Sequence, residues 1–224
     1  MNSVVLYMSM SLDGLIAAPE DGPGRGLGVG GEPLHAWLAD GGLSPGSHRP
    51  KSEVNAEVFD EMMATGAVIT GRRTFDLAGG WGGDHHDGVP IFVVTRHKPG
   101  EAAPGHARYV TDLGSAVALA KEAAGDRDVM VHGGSAAQAL LRAGLVDELA
   151  IHLVPLLLGG GRRLFDDLPA ETRGLRLVRS LEGDGVLHLR YRVAGLGEPV
   201  TTPPEPRQGS GTGSYGAGPT RPTK

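Results

Sequence analysis

The sequence has 224 residues, a formal net charge of −5 and no cysteine. That length is enough for one α/β domain with a sizeable core, and the lack of cysteine excludes disulfides, thiolate metal sites and a cysteine nucleophile. Lysine and arginine do not cluster among aromatic residues, so we expect no nucleic-acid partner.

The two ends of the chain differ in composition from its middle. The apolar run at the N-terminus is interrupted by Asp13 and has no basic segment before it, so it predicts neither a signal peptide nor a membrane span. Residues 195–224 are rich in Gly, Pro, Ser and Thr and cannot bury enough apolar surface to become ordered. We therefore expect a folded domain over residues 1–194, a disordered tail over residues 195–224, and a soluble cytoplasmic protein.

The first predicted core strand covers residues 4–10 and leads directly to Asp13. Open α/β sheets bind ligands at the carboxyl edge of their strands, so Asp13 is a candidate catalytic residue. Its leucine and isoleucine neighbours predict partial burial and a raised pKa, which suits proton transfer or pairing with a ligand N–H. The alternative, equally favoured by the sequence, is that Asp13 only closes a turn with Gly14.

A long Gly- and Pro-rich segment, residues 20–46, follows and contains Trp37. Loops of this length are usually functional or disordered, so the segment is either a lid over a ligand or a mobile surface loop. Residues 54–64 then predict a helix that is capped by Asn55 and ended by Gly66.

Two further strands end in turns that suit phosphate. Residues 67–70 predict a strand that meets a glycine, two arginines and a helix start, and residues 91–94 predict a strand that ends in a threonine and an arginine. Arginine forms planar, bidentate contacts with phosphate. A fourth strand over residues 109–111 and a helix over residues 115–124, capped by Ser115, complete this part.

Residues 129–165 predict a βαβ unit around which the other elements are arranged. A short apolar strand stops at Gly133 and Gly134, Ser135 is placed to cap the next helix, and Gly144 is placed to end it. A ligand can approach glycines closely, and the N–H groups of a helix start attract anions, although such a pair is more often only a tight turn. Residues 148–154 are apolar on both faces, as in a central strand, and residues 175–181 and 186–193 predict a hairpin.

Five ordered motifs together resemble the dihydrofolate reductase superfamily. They are SLDGLIA (11–17), ITGRRTF (69–75), FVVTRHKP (92–99), VHGGSAAQALL (131–141) and LVPLLLGGGRRLF (153–165). More closely, the chain resembles the reductase domain at the C-terminus of the bifunctional deaminase-reductase proteins of riboflavin biosynthesis. The resemblance implies a three-layer α/β sandwich, with a mostly parallel central sheet, helices on both faces and a C-terminal antiparallel hairpin.

The resemblance also implies an NADPH-dependent reductase that acts on a pterin-like or pyrimidine small molecule. Asp13 matches the aspartate of the family's SxDG motif, and we assign it to substrate anchoring and proton delivery. The implied cofactor contacts are Ile16 and Ala17 at the nicotinamide, Gly71, Arg72, Arg73 and Thr74 at the pyrophosphate and 2′-phosphate, Thr95 and Arg96 at the 2′-phosphate and adenine, and Gly133, Gly134, Ser135 and Ala136 at the pyrophosphate and ribose. Two arginines near a ribose phosphate favour NADP over NAD.

Other interpretations stay open. The chain could bind a nucleotide without catalysis, or Ser135 could be a hydrolase nucleophile followed by Asp166 and His188. Residues 84–87, Asp-His-His-Asp, are interpreted as solvated loop residues rather than a metal site, and His152 as a satisfied core histidine. The leucine-rich residues 153–158 make a homodimer plausible.

Overall fold

The computed structural model describes residues 2–38, 49–166, 168 and 173–195. A central sheet of eight strands has the order β5-β4-β3-β6-β1-β7-β10-β9, and β2 pairs with β8 in a small second sheet. The strands are β1 Val4–Ser11, β2 Leu15–Ala17, β3 Ala67–Gly71, β4 Ile91–Val94, β5 Ala107–Val110, β6 Val129–His132, β7 Glu148–Val154, β8 Arg162–Arg163, β9 Leu175–Gly183 and β10 Val186–Val193. The helices are α1 Glu53–Met63, α2 Arg72–Leu77, α3 Leu113–Ala124 and α4 Gly134–Arg142, with a 3-10 helix over Glu32–Leu38 and a left-handed turn over Gly79–Gly83.

Six neighbouring strands of the sheet, in the order β5-β4-β3-β6-β1-β7, run parallel. Strand β1 lies between β6 and β7. Strand β10 is antiparallel to β7, and β9 is antiparallel to β10, so the predicted C-terminal hairpin is confirmed. Strand β7 covers the predicted residues 148–154 without a shift. Its apolar residues other than Leu153 are buried and belong to cores on both faces of the sheet, because the strand lies inside the sheet.

Alternation along the strands divides the core into two layers. On one face, Leu6, Val131 and Leu140 belong to a core that α3 and α4 cover. On the other face, Val5 and Met62 belong to a core that α1 and α2 cover. Successive side chains of a strand point to opposite faces, so the sheet is buried on both sides. The expected three-layer α/β architecture is therefore confirmed.

The predicted helix caps are wrong at three positions. Helix α1 begins after Ser52, and Asn55 is a buried residue inside its first turn. Helix α3 begins after Asp112, whose carboxylate accepts a hydrogen bond from the Ser115 N–H at 2.7 Å. Helix α4 begins after Gly133, which leaves Ser135 as its second residue. A helix cap is identified by the hydrogen bond between its side chain and a backbone N–H of the first turn. The spacing of residues in the sequence does not reveal that hydrogen bond.

The described part of the long Gly- and Pro-rich segment, residues 20–38, contains a 3-10 helix that packs onto the domain, and the choice between a lid and a mobile loop stays a prediction. Leu34 and Trp37 of the 3-10 helix are buried, and Trp37 packs with Val58 of α1. Residues 39–46 of this segment lie outside the described residues, as does the predicted tail beyond Gly195. Among the described helices, none is long and apolar enough to cross a membrane.

The predicted homodimer stays a prediction. Leu157, in the leucine-rich segment, is 72% exposed, and the edge strand β9 carries two further exposed leucines, Leu175 and Leu177.

Candidate functional site

A cavity of about 1020 Å³ opens at the carboxyl edge of the parallel strands. All of the predicted cofactor residues line it: Ile16, Ala17, Gly71, Arg72, Arg73, Thr74, Thr95, Arg96, Gly133, Gly134, Ser135 and Ala136. They come from four separate segments of the chain and meet because parallel strands β3, β4 and β6 end at the same edge. Asp13 is not among the lining residues.

The two glycine turns of this edge are in direct contact. A Cβ atom added to Gly133, whose φ is +83°, would lie 2.2 Å from the Thr74 hydroxyl oxygen. A Cβ atom added to Gly71 would lie 3.5 Å from the Cβ of Ala136. Only glycine fits at residue 133, both for its backbone conformation and for the space available. The start of α4 is thereby exposed to the cavity alongside the start of α2.

Arginine dominates the charge of the cavity wall. Within the described part of the chain, five arginines and a single carboxylate, that of Asp21, line the cavity; the arginines are Arg72, Arg73, Arg96, Arg142 and Arg162. This local excess of positive charge contrasts with the net charge of −5 for the whole chain. Such a concentration of guanidinium groups favours a ligand with several negative charges.

Asp21 holds two of these arginines in place. Its carboxylate accepts hydrogen bonds from Arg73 at 3.0 Å and from Arg162 at 3.1 Å. Burial raises the pKa of Asp21, but the two guanidinium groups outweigh it and hold the pKa below its ordinary value. Arg72 is fixed separately by Asp76 at 2.7 Å and lies over the ring of Tyr109 at 5.1 Å. Three of the five cavity arginines are therefore oriented by contacts within the protein.

The expected raised pKa of Asp13 is wrong. Its carboxylate accepts hydrogen bonds from the Ser11 hydroxyl at 2.6 Å, the Gly159 N–H at 2.8 Å and the Leu158 N–H at 3.2 Å. These bonds, that of Ser11 first, lower the pKa of Asp13 to about 2 because they stabilise the charged form. The structure thus places Asp13 as an anchor for the turn after β7 and does not bring it together with the other predicted site residues.

The inner part of the cavity is lined by histidines and aromatic rings. His35, His85, His132 and His152 all line it, together with Trp37. Burial lowers the pKa of His35 and of His132 to about 4, and lowers the pKa of His152 well below its usual value. Desolvation disfavours the charged imidazolium, so these side chains are neutral at pH 7.

His152 is not the satisfied core histidine that the sequence suggested. Its Nδ1 lies 2.9 Å from Nδ1 of His188, but its Nε2 is buried and has no hydrogen-bond partner in the part of the chain that the structure describes. The hydroxyl oxygens of Tyr7 and Thr70 are likewise buried and have no hydrogen-bond partner among the described residues. Tyr7 and His152 both line the cavity, so a bound ligand could supply the missing partners.

Residues 84–87 are also not simply solvated. Nδ1 of His85 lies 2.7 Å from Nδ1 of His86, and Nε2 of His85 lies 2.9 Å from Nε2 of His132. The three imidazoles thus form a chain between the loop and the end of β6. No group of three or more metal-binding side chains is arranged to hold an ion among the residues that the structure describes.

The hydrolase alternative is contradicted by the contacts of His188. One ring nitrogen of His188 is paired with His152, and the other lies 3.1 Å from the Asn55 side-chain oxygen. Neither nitrogen remains to activate Ser135, because a general base must itself bond to the nucleophile.

Comparison with known protein families identifies the family of this chain. The model of the RibD C-terminal domain family matches residues 2–189. The chain belongs to this family.

Similar solved structures confirm the fold of this RibD C-terminal domain member. A putative riboflavin biosynthesis protein from Shewanella sp. PV-4 is 22% identical with a TM-score of 0.62, covering 86% of this chain and 99% of that one. Acinetobacter baumannii RibD is 18% identical with a TM-score of 0.58, covering 87% of this chain and 58% of that one. The third structure is a Thermotoga maritima diaminohydroxyphosphoribosylaminopyrimidine deaminase/5-amino-6-(5-phosphoribosylamino)uracil reductase. It is 14% identical with a TM-score of 0.56, and the match covers 86% of this chain and 57% of that one.

The chain therefore spans a little under three fifths of the two longer proteins. At these identities the likeness shows a shared fold, and the dihydrofolate reductase-like architecture expected from the motifs is confirmed. No curated protein matches the sequence.

Several lining residues of this family member were missed by sequence reasoning. Arg162 follows the last glycine turn and could have been found from its motif, as could His132, which directly precedes Gly133. Asp21 and His35 had no comparable signal, because they lie in the Gly- and Pro-rich segment and reach the cavity only through the folding of that segment.

Proposed function

We propose that this chain is a reductase that uses NADPH to reduce a small pyrimidine- or pterin-like molecule, of the kind found among riboflavin precursors. Membership in the RibD C-terminal domain family supports a reductase of the riboflavin pathway. The observation that carries the proposal is the meeting, at one edge of the sheet, of two glycine turns and five arginines drawn from distant parts of the chain.

The residues present fit a dinucleotide phosphate. Gly133 and Gly134 line the cavity at the start of α4, where a pyrophosphate would accept hydrogen bonds from the free N–H groups of the first helical turn. Arg72 and Arg96 would hold the 2′-phosphate together with the Thr95 hydroxyl. The hydride for the reduction is supplied by NADPH when it is bound.

The remaining wall would hold the nicotinamide and the substrate. Ile16 and Ala17 are buried and line the cavity, with Ile16 against Gly134, and they would contact one face of the nicotinamide ring. Trp37 and His152 both line the cavity with their ring centroids 4.6 Å apart, and the substrate ring would lie against them. With a pKa of about 2, Asp13 is a poor proton donor near pH 7, so we infer that it anchors the turn after β7 instead.

The test is a calorimetric titration of the protein with NADPH and, in parallel, with NADH. We expect micromolar NADPH binding and weaker NADH binding. Arg96→Ala should weaken NADPH binding by roughly 10- to 100-fold, since a charge-assisted hydrogen bond contributes about 1.5–3 kcal/mol, and should leave NADH binding nearly unchanged. Arg108→Ala is the matched control, because Arg108 is exposed on β5 and does not line the cavity.

Failure of the wild-type protein to bind either nucleotide would overturn the proposal. Binding of NADPH without its oxidation by any pterin or aminopyrimidine would support the non-catalytic alternative instead.

A further inference from the structure

Three buried side chains form a hydrogen-bonded row that ends at the inner wall of the cavity. The row runs from Asn55 of α1 through His188 of β10 to His152 of β7. The strand register pairs His188 directly with His152, so the backbone fixes the two rings side by side. Asn55, His152 and His188 are all less than 5% exposed, and the row is shielded from water.

The orientation of the Asn55 amide is fixed at one end of this row. Its Nδ2 donates to the backbone oxygen of Asp184 at 3.1 Å and to that of Trp37 at 3.4 Å. A carbonyl oxygen only accepts, so the nitrogen of the amide must face these two groups. The Asn55 oxygen therefore faces His188, where it accepts a hydrogen bond at 3.1 Å.

The tautomers of both histidines follow from that orientation. His188 must carry its proton on Nε2 in order to donate to Asn55, and as a neutral ring it then has a lone pair on Nδ1. The Nδ1 of His152, 2.9 Å away, must donate to that lone pair. In the neutral ring of His152 the second nitrogen, Nε2, is consequently an acceptor.

That acceptor is the buried Nε2 that lacks a partner in the described residues. Burial lowers the pKa of His152, so the lone pair is not removed by protonation near pH 7. The ring lies 4.6 Å from the ring of Trp37 and 6.3 Å from that of Tyr7, which gives the inner end aromatic walls. A group that fits here donates a hydrogen bond, belongs to a flat ring and carries no negative charge.

We propose that Nε2 of His152 is the substrate-recognition acceptor of the cavity, and that it binds a ring or exocyclic N–H of an uncharged pyrimidine-type substrate. The inference rests on the proposed reductase function for the identity of the substrate, but not for the tautomer of His152. Asn55 and His188 are positioning residues, because they act only through the proton that they place on Nδ1 of His152. The neutral imidazole accepts the hydrogen bond from the substrate here, a role that a side-chain carboxylate would fill for a substrate with a stronger donor.

The tautomers can be measured directly on the wild-type protein without any ligand. Nitrogen-15 NMR of the histidine rings distinguishes the protonated from the unprotonated nitrogen, and the loss of a spin system in His152→Phe assigns the His152 signals. We expect a proton on Nδ1 of His152 and on Nε2 of His188. A proton on Nε2 of His152 would overturn the inference, whatever the protein's function.

Binding of the substrate class is tested by calorimetry with 5,6-diaminouracil added to the NADPH-saturated protein. His152→Phe keeps an aromatic ring beside Trp37 but removes the acceptor, and should weaken binding by about tenfold or more. His152→Gln keeps an acceptor oxygen and should recover part of the loss, which a purely steric role would not predict. His106→Gln, a change at an exposed histidine outside the cavity, should have no effect.

The NADPH affinity of the wild type and of each variant distinguishes a failure of the His152 assignment from a failure of the proposed function. If His152→Phe binds NADPH and 5,6-diaminouracil as the wild type does, the role of His152 is refuted and the proposed function stands. If the wild type binds NADPH but not 5,6-diaminouracil, the pyrimidine assignment is refuted. If the wild type does not bind NADPH, the proposed function fails, and the NMR experiment still decides the tautomer of His152.

Discussion

Lowering the pH from 7.5 to 5 should destabilise this protein well before its carboxylates are protonated. Burial lowers the pKa of His35 and of His132 to about 4, whereas both titrate near 6.5 in an unfolded chain. Between these two values the unfolded state binds protons that the folded state does not. The stability that depends on these groups is therefore complete above pH 6.5 and decreases as the pH falls towards 4.

The magnitude follows from the size of the two shifts. Each such histidine changes the free energy of unfolding by about 1.4 kcal/mol per pH unit across this interval. For His35 and His132 together, the loss at pH 5 is about 2–4 kcal/mol once structural relaxation is allowed for, out of a total that is typically about 5–15 kcal/mol. Hydrogen bonding lowers the pKa of Asp13 to about 2. The contribution of Asp13 to the free energy of unfolding is therefore complete above its unfolded pKa and is lost only as the pH falls from that value towards 2.

Urea unfolding, followed by tryptophan fluorescence at pH 7.5, 6.0 and 5.0, measures this directly. His132→Asn should reduce the slope of stability against pH by roughly 1.4 kcal/mol per unit, whereas His106→Gln, at an exposed histidine, should leave it unchanged. Equal free energies of unfolding at pH 7.5 and 5.0 in the wild type would refute the argument that these histidines are held neutral by burial.

Three further predictions concern single residues. Gly133→Ala should weaken NADPH binding by about tenfold or more in calorimetry, because the new Cβ would lie 2.2 Å from a hydroxyl oxygen, whereas Gly125→Ala, also at positive φ but in open space, should not. Arg190→Met should lower the free energy of unfolding by about 1.5–3 kcal/mol, since it removes the 2.6 Å ion pair of the buried Glu148 carboxylate and leaves it with the exposed Arg192 at 3.2 Å; a loss no larger than that of Arg176→Met, on the exposed edge strand, would contradict this. Asp13→Asn should lower the midpoint of thermal unfolding yet leave NADPH affinity within about twofold, and a large loss of affinity would restore its direct role at the site.

The half of the candidate site that is built from glycine turns was predictable because its signals are local. A glycine between a buried strand and a helix start is visible in the sequence at residues 71 and 133, and in a parallel sheet such turns meet at one edge. Strand β7 was predicted at its observed bounds for a similar reason, since its two buried faces produce an unbroken apolar run.

The histidine half was not predictable, because it depends on contacts between distant residues. His152 and His188 are 36 residues apart, and only the register of β7 and β10 brings them together. The same holds for Asp13, whose partners Leu158 and Gly159 lie about 145 residues further along the chain. Apolar neighbours in sequence predicted a raised pKa, but the N–H groups supplied by the fold lowered it.

The two halves of the cavity differ in charge, and this difference limits what can bind in each. Arginines and helix N–H groups stabilise negative charge at the outer end, whereas the inner end presents neutral imidazoles in a desolvated wall. An anion would gain nothing from the unprotonated Nε2 of His152 and would lose its hydration there. On the proposed function, a cofactor with phosphates would therefore be directed to the arginines and an uncharged ring to the histidines, and the charge pattern itself would orient the two ligands towards each other along the edge of the sheet.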